Sequence, residues 1–358
     1  KVMGLAPYSK PKYFNKVENI FKTFQTVKGT KFVYKNKPKD LFFHVKNKLE
    51  GQRFDSIAAG LQSYTESLII RWVKNCIKKT KAKNICLAGG VGLNVKVNML
   101  ISKISKDINL FVPPSPDDSS QAMGACYAYY LSLSKKKILK KVRPIKHAYL
   151  GPDVNLDIVK KKIKKFYVNK KYVVKKNKIN FEAAKIIANN KIVARFCGKA
   201  EFGARSLGNR SILANPKNNS IKKIINEKIK NRDFWMPFAA SVTNDFSRKY
   251  FNIDCDIKSY NYMTNCVLAT NLGKTELVAA LHPYDSTCRP HILTNHQNDS
   301  YNELIMEFGK ITGIYALLNT SFNLHGHPIV NSIDEAINIF IKSDLDALLL
   351  PKHLIIKK

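Results

Sequence analysis

Acidic residues and arginine are scarce in this strongly basic chain of 358 residues. It has 61 Lys and Arg against 26 Asp and Glu, a formal net charge of +35, but only nine of the 61 are Arg. The lysines are spread over most of the chain alongside abundant Asn and Ile, as a general compositional bias would produce. We therefore interpret the charge as a solvated, Lys-rich surface. A nucleic-acid or anionic-surface partner, which the charge alone would suggest, is less favoured.

Several sequence signals are missing, and each absence excludes a class of protein. The sequence has no run of 18 or more apolar residues, no signal-peptide core and no lipidation motif, which predicts a soluble, cytoplasmic protein without a membrane segment. Its seven cysteines are scattered and include no CxxC pair, which favours reduced, mostly buried thiols over a zinc site or a disulfide framework. At 358 residues, with 45% hydrophobic residues, the chain can form two domains of ordinary size.

Two arginines stand out in the glycine-bracketed segment 201–211, which follows a strand-like apolar run. Arg205 and Arg210 lie five residues apart, and a planar guanidinium can bind phosphate or carboxylate oxygens with two hydrogen bonds. Because the sequence uses Lys where a point charge suffices, an Arg indicates a position that needs the planar group. The segment predicts an anion site, which we expect Arg232 and Arg289 to join. Structural ion pairs are the alternative role of these arginines.

The first half of the sequence contains a glycine turn between a predicted strand and a predicted helix. The apolar strand over 84–88 leads directly into Gly89 and Gly90, and Asn94 lies at the start of the helix that follows. This arrangement lets backbone amides approach a phosphate at a helix N-terminus. Tight turns also need glycine for purely steric reasons, so a structural role is the alternative.

A second predicted strand, over 109–113, is followed by an acidic loop. Asp117 and Asp118 lie at the carboxyl end of this strand, which is where α/β sheets bind their ligands. The alternative role is to cap the predicted helix over 121–131, which one Asp can do. The alternation of strands and helices predicts a parallel or mixed α/β domain, with a linker over 133–146 before the second half.

Polar residues follow a predicted apolar strand over 315–318 near the C-terminus. The amides and hydroxyl of Asn319, Ser321 and Asn323 can donate to oxyanions from a fixed edge. A plain turn would also be rich in these residues.

Two helices of the second half have explicit sequence signals. Ile221, Ile225 and Ile229 repeat every four residues, which predicts a basic amphipathic helix. Ser332 with Glu335 forms the pattern of a capping box, which predicts the start of the last helix.

Six segments, taken in chain order, resemble those of the carbamoyltransferase family of the nodulation-protein and antibiotic O-carbamoylating type. They are KVMGLAPY, LAGGVGLN, VPPSPDDSSQAMGA, EFGARSLGNRSILANP, DSTCRP and NTSFNLHGHPIV. The resemblance covers essentially the whole chain. It implies an α/β fold in two domains: the C-terminal part of an actin-like ATPase-type domain over 1–145, and a YrdC-like α/β domain over 146–358.

The same resemblance implies an activity and a set of site residues. The second domain would form carbamoyl-adenylate from ATP and carbamoyl phosphate, and the first would transfer the carbamoyl group to a hydroxyl of a small molecule or sugar. The implied catalytic residues are Lys199, Arg205 and Arg210. The implied substrate and nucleotide contacts are Gly89, Gly90, Asn94, Arg232, Arg289, Asn319, Ser321 and Asn323. Asp118 would be a ligand of a divalent metal, expected to be Fe(II), and Mg²⁺ would accompany ATP.

The chain also departs from the family pattern. Ala204 stands where the family has Pro, Met236 where it has Arg, His291 where it has Gln and His327 where it has Glu. The part of the family that precedes KVMGLAPY, with two metal-binding histidines spaced HxxxH, is not in the sequence. We therefore expect a fragment that needs this N-terminal segment, or a complementing chain, to build the transfer site. The alternatives are a tRNA threonylcarbamoyl-modifying enzyme and a non-catalytic or split subunit.

Overall fold

A computed structural model describes residues 2–133, 143, 145–233, 235–294 and 297–358. The predicted linker over 133–146 lies largely outside this described part. The described helices are α1 (Val2–Leu5), α2 (Pro11–Lys22), α3 (Leu41–Leu49), α4 (Phe54–Thr80), α5 (Val95–Ser102), α6 (Gln121–Ser132), α7 (Leu156–Val168), α8 (Ile179–Ala188), α9 (Ile221–Ile224), α10 (Asn244–Tyr250), α11 (Asn271–Glu276), α12 (Asp299–Thr312) and α13 (Ile333–Lys342).

The described strands belong to one large sheet and three two-stranded sheets. They are β1 (Gln25–Lys28), β2 (Lys31–Tyr34), β3 (Asn84–Cys86), β4 (Asn109–Phe111), β5 (Tyr172–Lys175), β6 (Val193–Phe196), β7 (Arg210–Ala214), β8 (Ala239–Thr243), β9 (Val267–Leu268), β10 (Thr287–Cys288), β11 (His291–Leu293), β12 (Ala316–Ser321), β13 (Ala347–Leu350) and β14 (His353–Lys357).

The large sheet of the second half has eight strands in the order β11-β8-β12-β7-β6-β13-β14-β5. Strand β11 is parallel to β8 and β13 is parallel to β6, and the other neighbours are antiparallel. Helices α8, α10 and α12 pack on one face, and α7, α9 and α13 pack on the other. Because both faces are covered, strands β6, β7, β8 and β13 are buried at every residue. The predicted mixed α/β fold is confirmed.

The first half is built around the long helix α4. Helix α2 packs along α4, and the hairpin β1–β2 lies against it. Leu110 of β4 and Leu87, directly after β3, pack onto Ile69 and Val73 of α4. Helix α6 has no buried residue. In the part of the chain that the structure describes, no helix is both long enough and apolar enough to span a bilayer. The actin-like assignment of this half stays a prediction.

Most predicted elements are present, with two differences. Ile221, Ile225 and Ile229 are buried as the pattern predicts, but α9 ends at Ile224 and a π-helical turn follows over Ile225–Lys230. The wider turn ends at Asn231, whose φ is +46°.

The second difference lies at the C-terminal end of the sheet. Strand β12 extends to Ser321, so Asn319 and Ser321 lie in the strand rather than after it, because they pair with β7. The capping box is confirmed: Ser332 Oγ accepts from Glu335 N at 3.2 Å, and Glu335 Oε2 accepts from Ser332 N at 3.3 Å.

Candidate anion-binding site

A cavity of about 320 Å³ lies where the second half meets the N-terminal segment. Its walls come from the end of β12, the loop 204–206, the segment 235–239 and residues 3–4. Among the residues that line it are Arg205, Arg232, Arg289, Asn319 and Ser321. The structure therefore brings together five of the residues predicted to surround the phosphates.

The loop that carries Arg205 is shaped by a carboxylate of its own segment. Glu201 Oε1 accepts from the backbone amides of Leu207 and Asn209, both at 2.8 Å, and from that of Arg210 at 3.2 Å. Three amides that converge on one oxygen form an anion-binding nest. Glu201 occupies this nest, so the guanidinium of Arg205, and not the loop backbone, is the group available to a ligand.

The same loop is fixed at two further points. Gly203 has a φ of +109°, and a Cβ placed there would lie 2.6 Å from the carbonyl oxygen of Pro114 in the first half, so this close contact requires glycine. Asn319 Nδ2 donates to Ser206 O at 3.2 Å and to Ser241 Oγ at 2.9 Å, which ties the loop to the sheet. Asn319 is therefore a structural support of the cavity wall.

Burial lowers the pKa of all three cavity arginines. Burial lowers the pKa of Arg205, and burial lowers the pKa of Arg232 to about 10. The pKa of Arg289 is lowered first by burial and then by the positive charges of Arg205 and Arg232. The described lining contains no Asp or Glu. Buried cations need a compensating charge, so this arrangement favours binding of an anion.

Unused hydrogen-bond donors support the same interpretation. Arg232 Nε donates to Asn226 Oδ1 at 2.6 Å and its guanidinium lies 4.3 Å from the ring centre of Phe238, but its Nη2 is buried and finds no partner within the described residues. Arg289 Nε is likewise buried and unpaired there. Buried polar groups are normally satisfied, so these donors indicate a missing acceptor.

Lys230 belongs to this site, and the sequence analysis missed it. Its Nζ donates to Ser321 O at 2.6 Å, to Ser321 Oγ at 3.0 Å and to Asn323 Oδ1 at 2.8 Å. Burial, and then the charge of Arg232, lower its pKa to about 7. The available signal was its position two residues before Arg232, but in so Lys-rich a sequence that spacing carries little weight. The predicted residue Asn323 thus contacts Lys230 and lies outside the cavity lining.

Arg210 and Lys199, which were predicted to be catalytic, do not line the cavity. Arg210 Nη1 donates to Cys197 O at 2.7 Å and Nη2 to Gly198 O at 3.0 Å, and the guanidinium lies 4.0 Å from the ring centre of Phe196. Arg210 is 1% exposed and lies outside the cavity lining, because it is the first residue of β7 and its side chain turns back onto β6. Lys199 is exposed and also lies outside the lining.

The glycine turn of the first half lies apart from the cavity. Gly89 and Gly90 are exposed, and Gly89 has a φ of +96°. Asn94 caps α5 by accepting from Val97 N at 3.2 Å, and it exchanges two hydrogen bonds with Gln62 at 3.0 and 3.1 Å. The strand, turn and helix are present as predicted, and nucleotide binding there stays a prediction.

The predicted metal ligand Asp118 lies on the surface. Its Oδ1 accepts from Gln121 Nε2 at 3.2 Å, while Asp117 caps the same turn by accepting from Ser119 N at 3.3 Å. Over the described ranges, no three His, Cys, Asp or Glu side chains are grouped so that they could hold a metal ion. The described residues do not by themselves form an iron site, and the role of Asp118 as a metal ligand stays a prediction.

The four departures from the family pattern fall into two groups. Ala204 and Met236 line the cavity, so the expected ring and the expected cation are both missing from its wall. His291 is 1% exposed and burial lowers its pKa to about 3; its Nδ1 lies 3.3 Å from Ser241 Oγ. His327 is exposed. The change at position 236 is therefore the one that removes charge from the site.

Comparisons with known proteins show which family the chain belongs to. The carbamoyltransferase N-terminus family matches residues 1–127, and the carbamoyltransferase C-terminus family matches residues 184–357. Uncharacterized protein MJ1058 of Methanocaldococcus jannaschii is 30% identical over 383 residues, covering 100% of this chain and 59% of its own length. Nodulation protein NolNO of Sinorhizobium fredii is 30% identical over 364 residues, covering 100% of this chain and 53% of its own.

Among solved structures, full-length HypF in the phosphate- and nucleotide-bound form aligns with 50% of this chain and 22% of its own, at 16% sequence identity and a TM-score of 0.35. The chain spans less than two thirds of the length of both curated relatives. The two family matches and the relatives aligned over the whole chain show that this protein belongs to the carbamoyltransferase family of enzymes.

Proposed function

We propose that this chain carries the activating site of an ATP-dependent O-carbamoyltransferase. In this proposal the cavity at Arg205, Arg232 and Arg289 binds ATP and carbamoyl phosphate. Water cleaves carbamoyl phosphate to carbamate and phosphate, and a carbamate oxygen then attacks the α-phosphorus of ATP, which releases pyrophosphate and leaves carbamoyl-adenylate. The carbamoyl group then passes to a hydroxyl of a small molecule or sugar. Membership of the carbamoyltransferase family, and relatives named as nodulation proteins, support this class of reaction.

The observation that carries the proposal is the group of buried cations around one cavity, of which, within the described residues, only Arg205 is influenced by a nearby carboxylate, that of Asp117. Arg205, Arg232 and Arg289 line the cavity, Lys230 lies directly behind Ser321, and the described lining has no carboxylate. Both proposed reactants are phosphorylated and bring several negative charges. Burying such charges is favourable where fixed cations and aimed donors already surround them.

Each side chain has a distinct part in this chemistry. The guanidinium of Arg232, oriented by Asn226, and that of Arg289 can each donate to phosphate oxygens and neutralise charge on the departing phosphate groups. Lys230, with its pKa of about 7, supplies a cation that the bound phosphates hold in its charged form. Trp235, also in the lining, offers an aromatic surface to the adenine ring.

The first half has a separate part in the proposal. In this proposal the backbone of the exposed turn at Gly90, before the helix capped by Asn94, receives the adenylate when its carbamoyl group is transferred; the amide of Gly89 already donates to Pro116 O at 2.6 Å. This step rests on the resemblance of the turn to a phosphate-binding turn.

Calorimetric titration of the whole chain with ATP tests the proposal. We expect a single site, with binding weakened in Arg232→Lys by about 1.5–3 kcal/mol because one bidentate contact is lost. Arg53→Lys is the matched control, since Arg53 pairs with Asp55 at the exposed start of α4 and does not line the cavity. Equal affinity in Arg232→Lys and the wild type would contradict the proposed site.

A second measurement separates carbamoyl activation from simple anion binding. Exchange of labelled pyrophosphate into ATP should depend on carbamoyl phosphate, because only the adenylate-forming step releases and recaptures pyrophosphate. ATP binding without any exchange would leave a nucleotide-binding protein and would rule out the activating role.

A further inference from the structure

Arg289 is held in the cavity by its backbone and not by side-chain bonds. Its guanidinium makes no hydrogen bond to any described residue, and its Nε is buried. Arg232 differs, because Asn226 orients its Nε. The direction of Arg289 therefore depends on the chain just before it, the two-residue strand β10, which pairs with β9.

Asp285 fixes that stretch of chain. Its Oδ1 accepts from Thr287 N at 2.9 Å and from Thr287 Oγ1 at 2.6 Å, which closes a tight turn at the start of β10. Ser286, inside the turn, has a φ of +53°, a conformation that a non-glycine residue adopts only when its surroundings impose it. The two bonds from Thr287 to one carboxylate oxygen hold the turn in this conformation, together with the backbone bond from Ser286 N to His282 O at 3.0 Å.

A lysine of the first half holds the other oxygen of the same carboxylate. Lys96 Nζ forms an ion pair with Asp285 Oδ2, and the two side chains are only 18% and 24% exposed. Burial alone would raise the pKa of Asp285, but the charge of Lys96 and the bonds from Thr287 outweigh it, so the pKa lies below its ordinary value. Lys96 is the second residue of α5, directly after the glycine turn.

The N-terminal segment makes a second link to the same loop. His282 Nε2 donates to Gly4 O at 2.8 Å, and His282 N donates to Thr287 O at 2.9 Å. Gly4 lines the anion cavity and also a smaller cavity of about 50 Å³, which Lys96, His282 and Arg289 line as well. The loop that carries Arg289 thus rests on first-half residues on the side away from the phosphate.

We propose that Asp285, held by Lys96, is the positioning residue that aims Arg289 at the bound phosphate. The anion cavity of the second half is then set in part by a side chain of the first half. This inference rests on the proposed function only in taking the cavity as an anion site.

The test is calorimetric titration of the whole chain with inorganic pyrophosphate, which probes the cations without the nucleoside. We expect Asp285→Asn and Lys96→Met each to weaken binding on the order of tenfold, the cost of misplacing one aligned group. Lys175→Met is the matched control, because the Lys175–Glu182 pair is also partly buried but joins β5 to α8 at the far edge of the sheet. It should leave the affinity unchanged.

A double-mutant cycle separates positioning from a general structural effect. If Asp285 acts through Arg289, then Asp285→Asn should weaken binding no further in an Arg289→Ala background. Equal loss in both backgrounds would overturn the inference. Should Asp285→Asn fail to fold, Thr287→Val serves in its place, because it removes one bond to the carboxylate and keeps the ion pair.

The outcomes for the two proposals are distinct. Pyrophosphate binding that is unaffected by Asp285→Asn, Lys96→Met and Thr287→Val overturns the positioning role and leaves the proposed function standing. No pyrophosphate binding by the wild type overturns both. Pyrophosphate binding without carbamoyl phosphate-dependent exchange removes the proposed function and leaves the positioning role to be judged by the cycle.

Discussion

The two halves of the chain differ in how completely their elements are covered. In the second half, helices pack on both faces of the large sheet, and five of its strands are buried at every residue. In the first half, β3 has no buried residue, and neither has α6, whose Tyr129 is 67% exposed. Parallel strands and apolar helices are normally covered on both sides.

This difference accounts for where the candidate site lies. A cavity that concentrates charge needs walls that exclude water, and the covered sheet of the second half supplies them. The glycine turn of the first half, by contrast, is exposed at Gly89 and Gly90. The first half acts on the cavity as a support, through Gly4, Lys96 and the contact of Pro114 with Gly203.

A Gly→Ala substitution in each half gives the largest expected difference in the free energy of unfolding. A Cβ at Gly208 would lie 2.2 Å from Cδ1 of the buried Tyr301, at a φ of +109°, so Gly208→Ala should lower the free energy of unfolding by about 4 kcal/mol. Nothing lies within 4 Å of such a Cβ at Gly124 in α6, so Gly124→Ala should raise it by up to about 1 kcal/mol. Urea unfolding of both variants is the measurement. Similar losses would show that the two halves are equally packed.

Substituting the two arginines of segment 201–211 should separate an effect on ligand binding from an effect on stability. Arg205→Lys should weaken ATP binding by about 1.5–3 kcal/mol and hardly change unfolding, because its guanidinium makes no hydrogen bond to the described residues. Arg210→Lys should reverse the pattern, with about 1–3 kcal/mol lost in unfolding as its bonds to Cys197 O and Gly198 O are lost. Calorimetric titration with ATP and urea unfolding of both variants measure the two effects. If Arg210→Lys weakened ATP binding without changing the free energy of unfolding, Arg210 would belong to the binding site.

The smallest expected effect is on pH dependence. Since the pKa of Lys230 is lowered to about 7, the lysine is charged below this pH and loses its proton above it. ATP affinity should therefore fall by about 1 kcal/mol between pH 6 and pH 8, as the positive charge behind Ser321 is lost. ATP titrates too, so the quantity to compare is the difference between the wild type and Lys230→Met. A pH profile identical in the two proteins would contradict a titrating Lys230.

Local signals in the sequence predicted the elements well, and tertiary contacts account for what was missed. The capping box of Ser332 and Glu335 and the strand–turn–helix at 84–102 depend on neighbouring residues, and both are present. Arg205 and Arg210 look alike in sequence, but Arg210 is the first residue of β7 and its guanidinium donates to the backbone directly after β6.

Two other features could not be read from the sequence at all. The lowered pKa of Lys230 results from burial against β12, and nothing local distinguishes it from the other lysines. Lys96 and Asp285 are 189 residues apart, so their ion pair exists only once both halves are folded. Pairing at such a distance leaves no pattern in a single sequence.

Glu201 makes the loop that carries Arg205 rigid in the ligand-free protein. The amides of Leu207, Asn209 and Arg210 all point at its Oε1, so they should exchange slowly with deuterated solvent, and ATP should change their exchange little. A loop that is already ordered loses little conformational entropy when a ligand binds. The affinity lost on changing Arg205 would then report the contacts of that side chain and not the cost of ordering the loop around it.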